Sequence, residues 1–300
     1  MWFWLAIAAM LCWSGSDLFS KMGSRPEDKY SHWKMVMAVG LVMGLHALYE
    51  VVVGGVRVTG ADLLAYLPAS SLYILSMILG YVGLRYIELS ISSPICNSSG
   101  AVAALLCFLI LGQRLTSLQT VAVLMVCAGV VLLGFVETHE DQQLKLERQK
   151  RENVTYVRSA LALILPVLYC LLDALGTFAD TFILETMDEA VANTAYELTF
   201  LAMGVFAFVY VVLIKKQPLT VRREGPKAIA AICETAGQFA YVYAIAANAI
   251  AAAPIISSYC LASVLWSRIF LKEKLSWKHY ACIALAVVGI VILGVLDETA

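Results

Sequence analysis

Five carboxylates lie inside long apolar stretches of this chain: Asp17, Asp173, Asp180, Glu197 and Glu234. An ionisable side chain at membrane depth costs at least ~2.5–3.5 kcal/mol on insertion scales, so each such residue is expected to have a partner or a task. The bases in the same stretches are fewer and sit nearer their ends: Lys34, Arg85 and Arg268. An excess of buried acid points to positive cargo, either a proton or a cationic solute. A carboxylate that holds one or the other, never both, is a simple device for exchanging them.

The spacing of these acids is informative. Trp13 and Asp17 are four apart, as are Tyr169 and Asp173, and Leu5-Ala6 recurs at the same offset as Leu161-Ala162 (169 − 13 = 173 − 17 = 161 − 5 = 156). On a helix, positions i and i+4 share a face, so each pair presents one ring and one carboxylate together. Glu234, Gln238 and Tyr241 stand at i, i+4 and i+7 and make a polar stripe on an otherwise apolar helix. Such a stripe turns away from lipid, toward either a cavity or a hydrogen-bonded seam between helices. The alternative for Asp17 is an interfacial acid near its helix end, paired with Lys21. Trp13, Tyr81, Tyr169, Tyr241, Tyr259 and Trp266 could offer ring faces to a cation, worth ~2 kcal/mol or more when desolvated. Ordinary packing uses the same rings, so their weight comes from coinciding with buried acids. The expected substrate-binding residues are therefore Trp13, Asp17, Tyr81, Tyr169, Asp173, Glu197, Glu234, Gln238, Tyr241 and Tyr259. Asp173, Asp180 and Glu234 are the candidates for coupling or gating.

Other chemistries lack their residues. The eight cysteines fall singly in apolar stretches with no C-x-x-C pair, and the four histidines are scattered without an H-E-x-x-H or a D-x-x-D signature. No metal, cofactor or catalytic residue is expected. A membrane enzyme and the exchange of a lipid-linked intermediate between leaflets remain as alternative functions. Anionic cargo would need paired central bases, and there are none. With a net charge of −1 there is no sign of nucleic-acid binding.

At 61% hydrophobic and 14% charged residues, with a mean hydropathy of +0.81, the chain is that of a polytopic membrane protein. A helix crosses the hydrocarbon core with ~20 apolar residues. Ten such spans are expected, at about 2–20, 32–53, 63–84, 90–111, 117–136, 158–183, 190–214, 226–246, 249–271 and 277–296. The first has no basic leader and no cleavage site and is expected to be a mature helix. Residues 137–157 form a charged linker, in which Asp141 with Lys145 and Glu147 with Arg151 are helix-stabilising i,i+4 pairs.

The chain repeats itself. Tyr81, Pro94, Leu115, Gly129 and Gly134 recur 160 residues later as Tyr241, Pro254, Leu275, Gly289 and Gly294. Residues 1–136 and 158–300 are thus two copies of five spans each, and an odd number makes the second copy inverted. The fold class is all-α integral membrane, ten transmembrane helices in two inverted five-helix repeats. This symmetry places a binding site near the midplane and allows rocking about it. Of 21 Lys and Arg residues, 19 fall in or beside the loops after spans 1, 3, 5, 7 and 9, leaving Arg57 and Arg114 opposite. The positive-inside rule then puts both termini outside the cytoplasm.

The run Trp13 to Lys21, the stretch Tyr81 to Pro94, Leu111 to Thr116 and Gly129 to Gly134, with Tyr241 to Pro254, Leu271 to Ser276 and Gly289 to Gly294, resembles the EamA-type repeat of the drug/metabolite transporter superfamily. The resemblance spans nearly the whole chain. It implies a ten-helix secondary transporter of the cytoplasmic membrane, its cavity lined by the first four helices of each half. It further implies a small-molecule substrate and a lipid bilayer; the buried acids make a proton the expected coupling ion, and monomer and homodimer both stay open. Two departures stand out: Gln113 replaces the family's usual acid, which Glu273 keeps in the second copy, and the family more often has cytoplasmic termini.

Overall fold

The structure, a computed structural model, describes residues 1–24, 28–83, 89–138, 160–271 and 275–298. Most of the linker, together with Arg85 and Glu273, lies outside the described residues. Every described element is a helix. A chain that leaves its backbone in hydrocarbon must satisfy every N–H and C=O within itself, and helices do so locally.

In the first half α1 (Trp2–Gly23), α2 (Ser31–Val52) and α3 (Gly60–Gly83) each cross once. The fourth crossing comes in two pieces, α4 (Leu89–Asn97) and α5 (Ser99–Leu109), and α6 (Ser117–Thr138) is the fifth. The second half has α7 (Ala160–Ile183), then α8 (Glu189–Phe208) with a π-helical turn at Val209–Ile214. It continues with α9 (Val221–Ser257), α10 (Tyr259–Trp266) and α11 (Trp277–Glu298).

α9 has 37 residues, about 55 Å of helix, and is too long for one crossing. It is two crossings read through a break. Asn248 has extended backbone (φ −163°, ψ 76°), and its side-chain oxygen accepts from the Ala251 N–H at 3.3 Å, starting the next helix. The chain reverses there. Before the break Lys227 lies by Gly23, Cys233 by Gly15 and Gly237 beneath Trp13, so this stretch runs antiparallel to α1. After it, Ser258 donates to the Met10 sulfur, Ser263 to Asp17 and Trp266 to Ser14, a parallel run. With this reversal there are ten crossings, and the break falls between the expected span ends at 246 and 249.

The inverted repeat is visible in the backbone. The Ser98 N–H reaches the Pro94 carbonyl at 3.2 Å and the Ser258 N–H reaches that of Pro254 at 3.1 Å, so crossings 4 and 9 break at equivalent points. Each break follows a proline by four residues, and each proline lacks the N–H that would bond the carbonyl one turn earlier. Across the halves α1 packs on the first part of α9, α3 on α7, α2 on α8 and α6 on α11. The last two pairings join an element to its own repeat mate and so lie on the two-fold axis. There, a Cβ on Gly129 would stand 2.7 Å from the Ala286 Cβ and 2.9 Å from the Cys282 carbonyl; a Cβ on Gly289 would meet the Ala122 carbonyl at 2.6 Å and Val126 at 2.9 Å. The contacts repeat at the sequence offset (282 − 122 = 286 − 126 = 160). These glycines allow close helix approach, the packing role that small residues serve in membranes. Leu41, Leu45 and Leu48 of α2 face outward, as a lipid-bathed surface requires.

At the Lys/Arg-rich face an ion network joins the halves. The Lys34 ammonium lies 2.7 Å from Asp28 and 3.4 Å from Glu224, and Glu224 also holds Lys227 at 2.7 Å. Partial burial alone would raise the Asp28 carboxyl. The Lys34 hydrogen bond, the Tyr30 N–H and the Lys34 and Lys227 charges outweigh it and hold the group below the usual carboxylate range. A depressed carboxylate stabilises the fold wherever it is ionised, and that contribution disappears as pH falls through its folded value. Asp28→Asn is therefore expected to lower the melting midpoint in detergent by about 1–2 °C at neutral pH. The deficit should shrink once pH drops below about 4. A deficit independent of pH would show that Asp28 contributes through something other than its charge.

Candidate functional site

A chamber lies between the two copies at mid-depth, and four helices give it polar stripes. α1 contributes Trp13, Ser16, Asp17 and Ser20, and α3 contributes Tyr73, Met77, Gly80 and Tyr81; α7 brings Tyr169 and Asp173, and α9 brings Glu234 and Gln238. Each set follows i, i+3, i+4, i+7 or i+8 spacing, one face of a helix. Ser92, Ser93, Cys96 and Asn97 of α4, Tyr196 of α8, Ser257 at the end of α9 and Tyr259 of α10 complete the wall. Of the residues expected to bind substrate, eight line it: Trp13, Asp17, Tyr81, Tyr169, Asp173, Glu234, Gln238 and Tyr259.

Hydroxyl donors hold each acid in the chamber. Asp17 accepts from Ser93 at 2.8 Å and from Ser263 at 3.1 Å, so α4 and α10 both fix its carboxylate. Asp173 accepts from Ser99 at 2.7 Å and from Ser76 at 3.5 Å. Ser16 hydrogen-bonds the Glu234 carboxyl, and the Trp13 indole N–H donates to the Glu234 backbone carbonyl at 3.3 Å. Among the described lining residues there is no Lys, Arg or His. The three carboxylates face the chamber with neutral donors only. Serines hold an acid's geometry without neutralising it, which leaves its charge for a solute.

The rings are arranged by the same symmetry. Trp13 covers Gly237, and its repeat mate Tyr169 covers Gly80, where an added Cβ would sit 3.0 Å from the ring. Trp13 stacks on Tyr241 at 5.2 Å and meets Tyr259 edge-on at 6.0 Å. The Tyr81 hydroxyl and the Gln238 amide nitrogen are buried at the chamber wall without a hydrogen-bond partner among the described residues. Buried polar groups are seldom left so, and both are placed to receive a solute.

Three expected site residues lie elsewhere. Tyr241 stands behind the wall, its hydroxyl bonded to that of Tyr73, which also donates to Thr177 at 3.2 Å. Asp180 is fully buried rather than at a mouth, and it accepts from the Tyr66 hydroxyl at 2.6 Å. Together Tyr66, Tyr73, Thr177, Asp180 and Tyr241 plug the end of the chamber nearer the chain termini. Beyond the plug, Thr181 already lines a second depression with Gln113, Arg114, Glu185 and the Asn248 break. Along α7, Asp173 lines the chamber and Thr181 the depression, so two helical turns, ~12 Å, separate the two spaces. Glu197 faces away from the chamber: both its oxygens lie within 2.8 and 2.9 Å of the His46 ring on α2, with Asn193 donating at 3.2 Å. The reason is angular. Tyr196 and Glu197 are adjacent, about 100° apart around α8, so only one of them can point inward.

Sequence reasoning did not single out the serines that hold the acids, nor Tyr66, Tyr73 and His46. The i, i+7 spacing of Tyr66 and Tyr73 on α3 was the available signal. All eight cysteines are free thiols.

Ten crossings in two inverted copies around a polar mid-depth chamber closed at one end define a membrane-carrier architecture. The model of the EamA-like transporter family matches residues 1–135 and 159–295, and the chain belongs to that family. It is a multi-pass membrane protein of a family that transports small solutes. Among solved structures, one titled "Crystal structure of protein" is 14% identical and aligns over 99% of this chain and 98% of its own with a TM-score of 0.68, a likeness of fold. A search of curated proteins found no match.

Proposed function

We propose that the protein is a secondary active transporter of a small organic cation or zwitterion, such as an amine, a quaternary ammonium compound, an amino acid or a drug-like solute, working by alternating access with proton coupling. The observation that carries this reading is the chamber's composition: Asp17, Asp173 and Glu234 beside Trp13, Tyr169 and Tyr259, with no base among the described lining residues. A cation entering would find carboxylates and ring faces already fixed. A proton taken by one of the same acids would displace it, which gives exchange. In this reading the copies 1–136 and 158–300 rock against each other across the linker 137–157. In this reading the protein works in the cytoplasmic membrane, and the Lys/Arg bias of the loops turns both termini away from the cytoplasm, so the plugged end faces outward.

The test is uptake and efflux of a panel of amines, quaternary ammonium compounds and amino acids in proteoliposomes under an imposed pH gradient. Gradient-driven movement of at least one cation is expected. A hydrogen bond to a charged group is worth about 1.5–3 kcal/mol, so Asp173→Asn and Glu234→Gln should each weaken apparent affinity about 10- to 150-fold. If both variants carry the cation as well as the parent does, the chamber acids do not recognise it.

A further inference from the structure

Glu197 is a fully buried carboxylate that the chamber does not use. Its surroundings are built. Both oxygens meet Nδ1 of His46, and the other ring nitrogen of His46, Nε2, lies 3.6 Å from a Glu50 oxygen one turn further along α2. The Glu197 side chain is 0% exposed, while those of His46 and Glu50 are both partly exposed, at 28% and 19%. Asn193 donates to Glu197, yet its own carbonyl oxygen is buried without a partner among the described residues. Phe239 of α9 covers the ring edge-on at 5.7 Å, and no other charged group among the described residues bonds to it.

The pair also breaks the symmetry of the seam that carries it. α2 and α8 cross at Gly40 and Gly204, which are 164 residues apart, and the same offset takes Trp33 to Glu197 and His46 to Tyr210. At the other end of the seam the equivalent positions are therefore Trp33 and Tyr210, two rings 5.6 Å apart. One end is held by an aromatic contact indifferent to pH and the other by a titratable one.

The geometry points to His46 and Glu197 as a proton-binding site on the α2–α8 seam, outside the chamber, with the partly exposed His46 ring and Glu50 as its way out. A doubly protonated ring beside an ionised Glu197 is a neutral pair. Loss of the Nε2 proton to Glu50 or to solvent leaves a neutral imidazole against a buried carboxylate, and the seam then holds an uncompensated charge. Protonation thus tightens this end of the seam and deprotonation loosens it. The next residue, Tyr196, lines the chamber and meets Tyr73 of the plug edge-on at 5.9 Å, so a shift of this turn of α8 reaches the plug. The inference rests on the proton-coupled reading above and locates a coupling proton away from the solute.

The site can be read without any solute, so its failure is separable from failure of the transport assignment. With only four histidines in the chain, ¹⁵N-histidine NMR of the full-length protein in nanodiscs can follow His46 between about pH 5 and 8, its signal assigned by loss in His46→Gln. The signal is expected to titrate in that range, and Glu197→Gln is expected to move its midpoint by about one pH unit or more while the other histidines stay put. The exchanged pair His46→Glu with Glu197→His should keep one displaced midpoint. Glu50→Gln, at the longer and partly exposed contact of 3.6 Å, gives a smaller shift of the same sense. A His46 that does not titrate in this range, or whose midpoint ignores both Glu197→Gln and Glu50→Gln, overturns the site.

Discussion

Gly40→Leu is expected to prevent the two halves from assembling. A Cβ at this position would stand 2.7 Å from the Gly204 Cα and 2.7 Å from the Phe200 carbonyl, both backbone atoms of α8. Neither can rotate away, so the only relief is to separate α2 from α8. That seam lies on the two-fold axis, and its neighbours Val36, Val39 and Met43 on α2 with Phe200 and Ala207 on α8 are fully buried. Overpacking usually costs about 1–3 kcal/mol when side chains can adjust; here they cannot, and leucine adds three further carbons beyond the Cβ. The expected result is loss of the monodisperse peak in detergent, or a melting midpoint lowered by more than about 6 °C. Gly225, with nothing within 4 Å of its Cβ position, is the control, and Gly225→Ala should melt like the parent. A Gly40→Leu protein that melts within about 2 °C of the parent would show that the seam adjusts and is not the fulcrum its symmetry implies.

The same seam shows why some of this protein could be read in advance and some could not. Span number and inversion followed from length, apolarity and an odd count, because hydrocarbon permits so few backbone solutions. The repeat register carried into space: Gly129 and Gly289 make equivalent contacts, and crossings 4 and 9 break together at Ser98 and Ser258. Asp17, Asp173 and Glu234 were legible as chamber residues because an acid in a span must turn from lipid, and the ring four residues before each aspartate marked which face. Glu197 met the same criterion and faced elsewhere. A helix buried on several sides has more than one protein-facing direction, and composition cannot choose between a chamber and a neighbouring helix. Its partner His46 is 151 residues away on α2, and no periodicity links them. The serines that hold the acids were invisible for the opposite reason: in stretches such as SISSP a hydroxyl looks like any other small packing residue.

Removing the hydroxyls of the plug is expected to open the chamber to the terminal face. The Tyr66 hydroxyl donates to Asp180 at 2.6 Å, the Tyr241 and Tyr73 hydroxyls also hydrogen-bond that carboxyl, and Tyr73 and Tyr241 join α3 to α9 across the chamber end through their hydroxyls. Tyr66→Phe leaves a buried carboxyl short of a donor, a penalty of about 1–3 kcal/mol, and Tyr73→Phe with Tyr241→Phe deletes a neutral bond worth about 0.5–1.5 kcal/mol. Phenylalanine keeps the rings and their packing, so the closed end loses polar contacts and little volume. An open end would let water reach Asp180, and the penalty therefore falls on the closed state alone. A difference of about 1.4–2.8 kcal/mol shifts the closed-to-open ratio about 10- to 100-fold. Ser257, half-buried in the chamber wall, is the reporter position. In a cysteine-free background carrying Ser257→Cys, a charged thiol reagent added on the side of an N-terminal tag should label the triple variant at least about tenfold faster than the parent. Labelling from the opposite side should change little, and the tag defines sidedness without reference to the absolute orientation in the cell. Equal rates from the tagged side would mean that the ring packing of Trp13, Tyr73 and Tyr241 holds the end shut by itself; a faster rate in Tyr66→Phe alone would place the lock at Asp180.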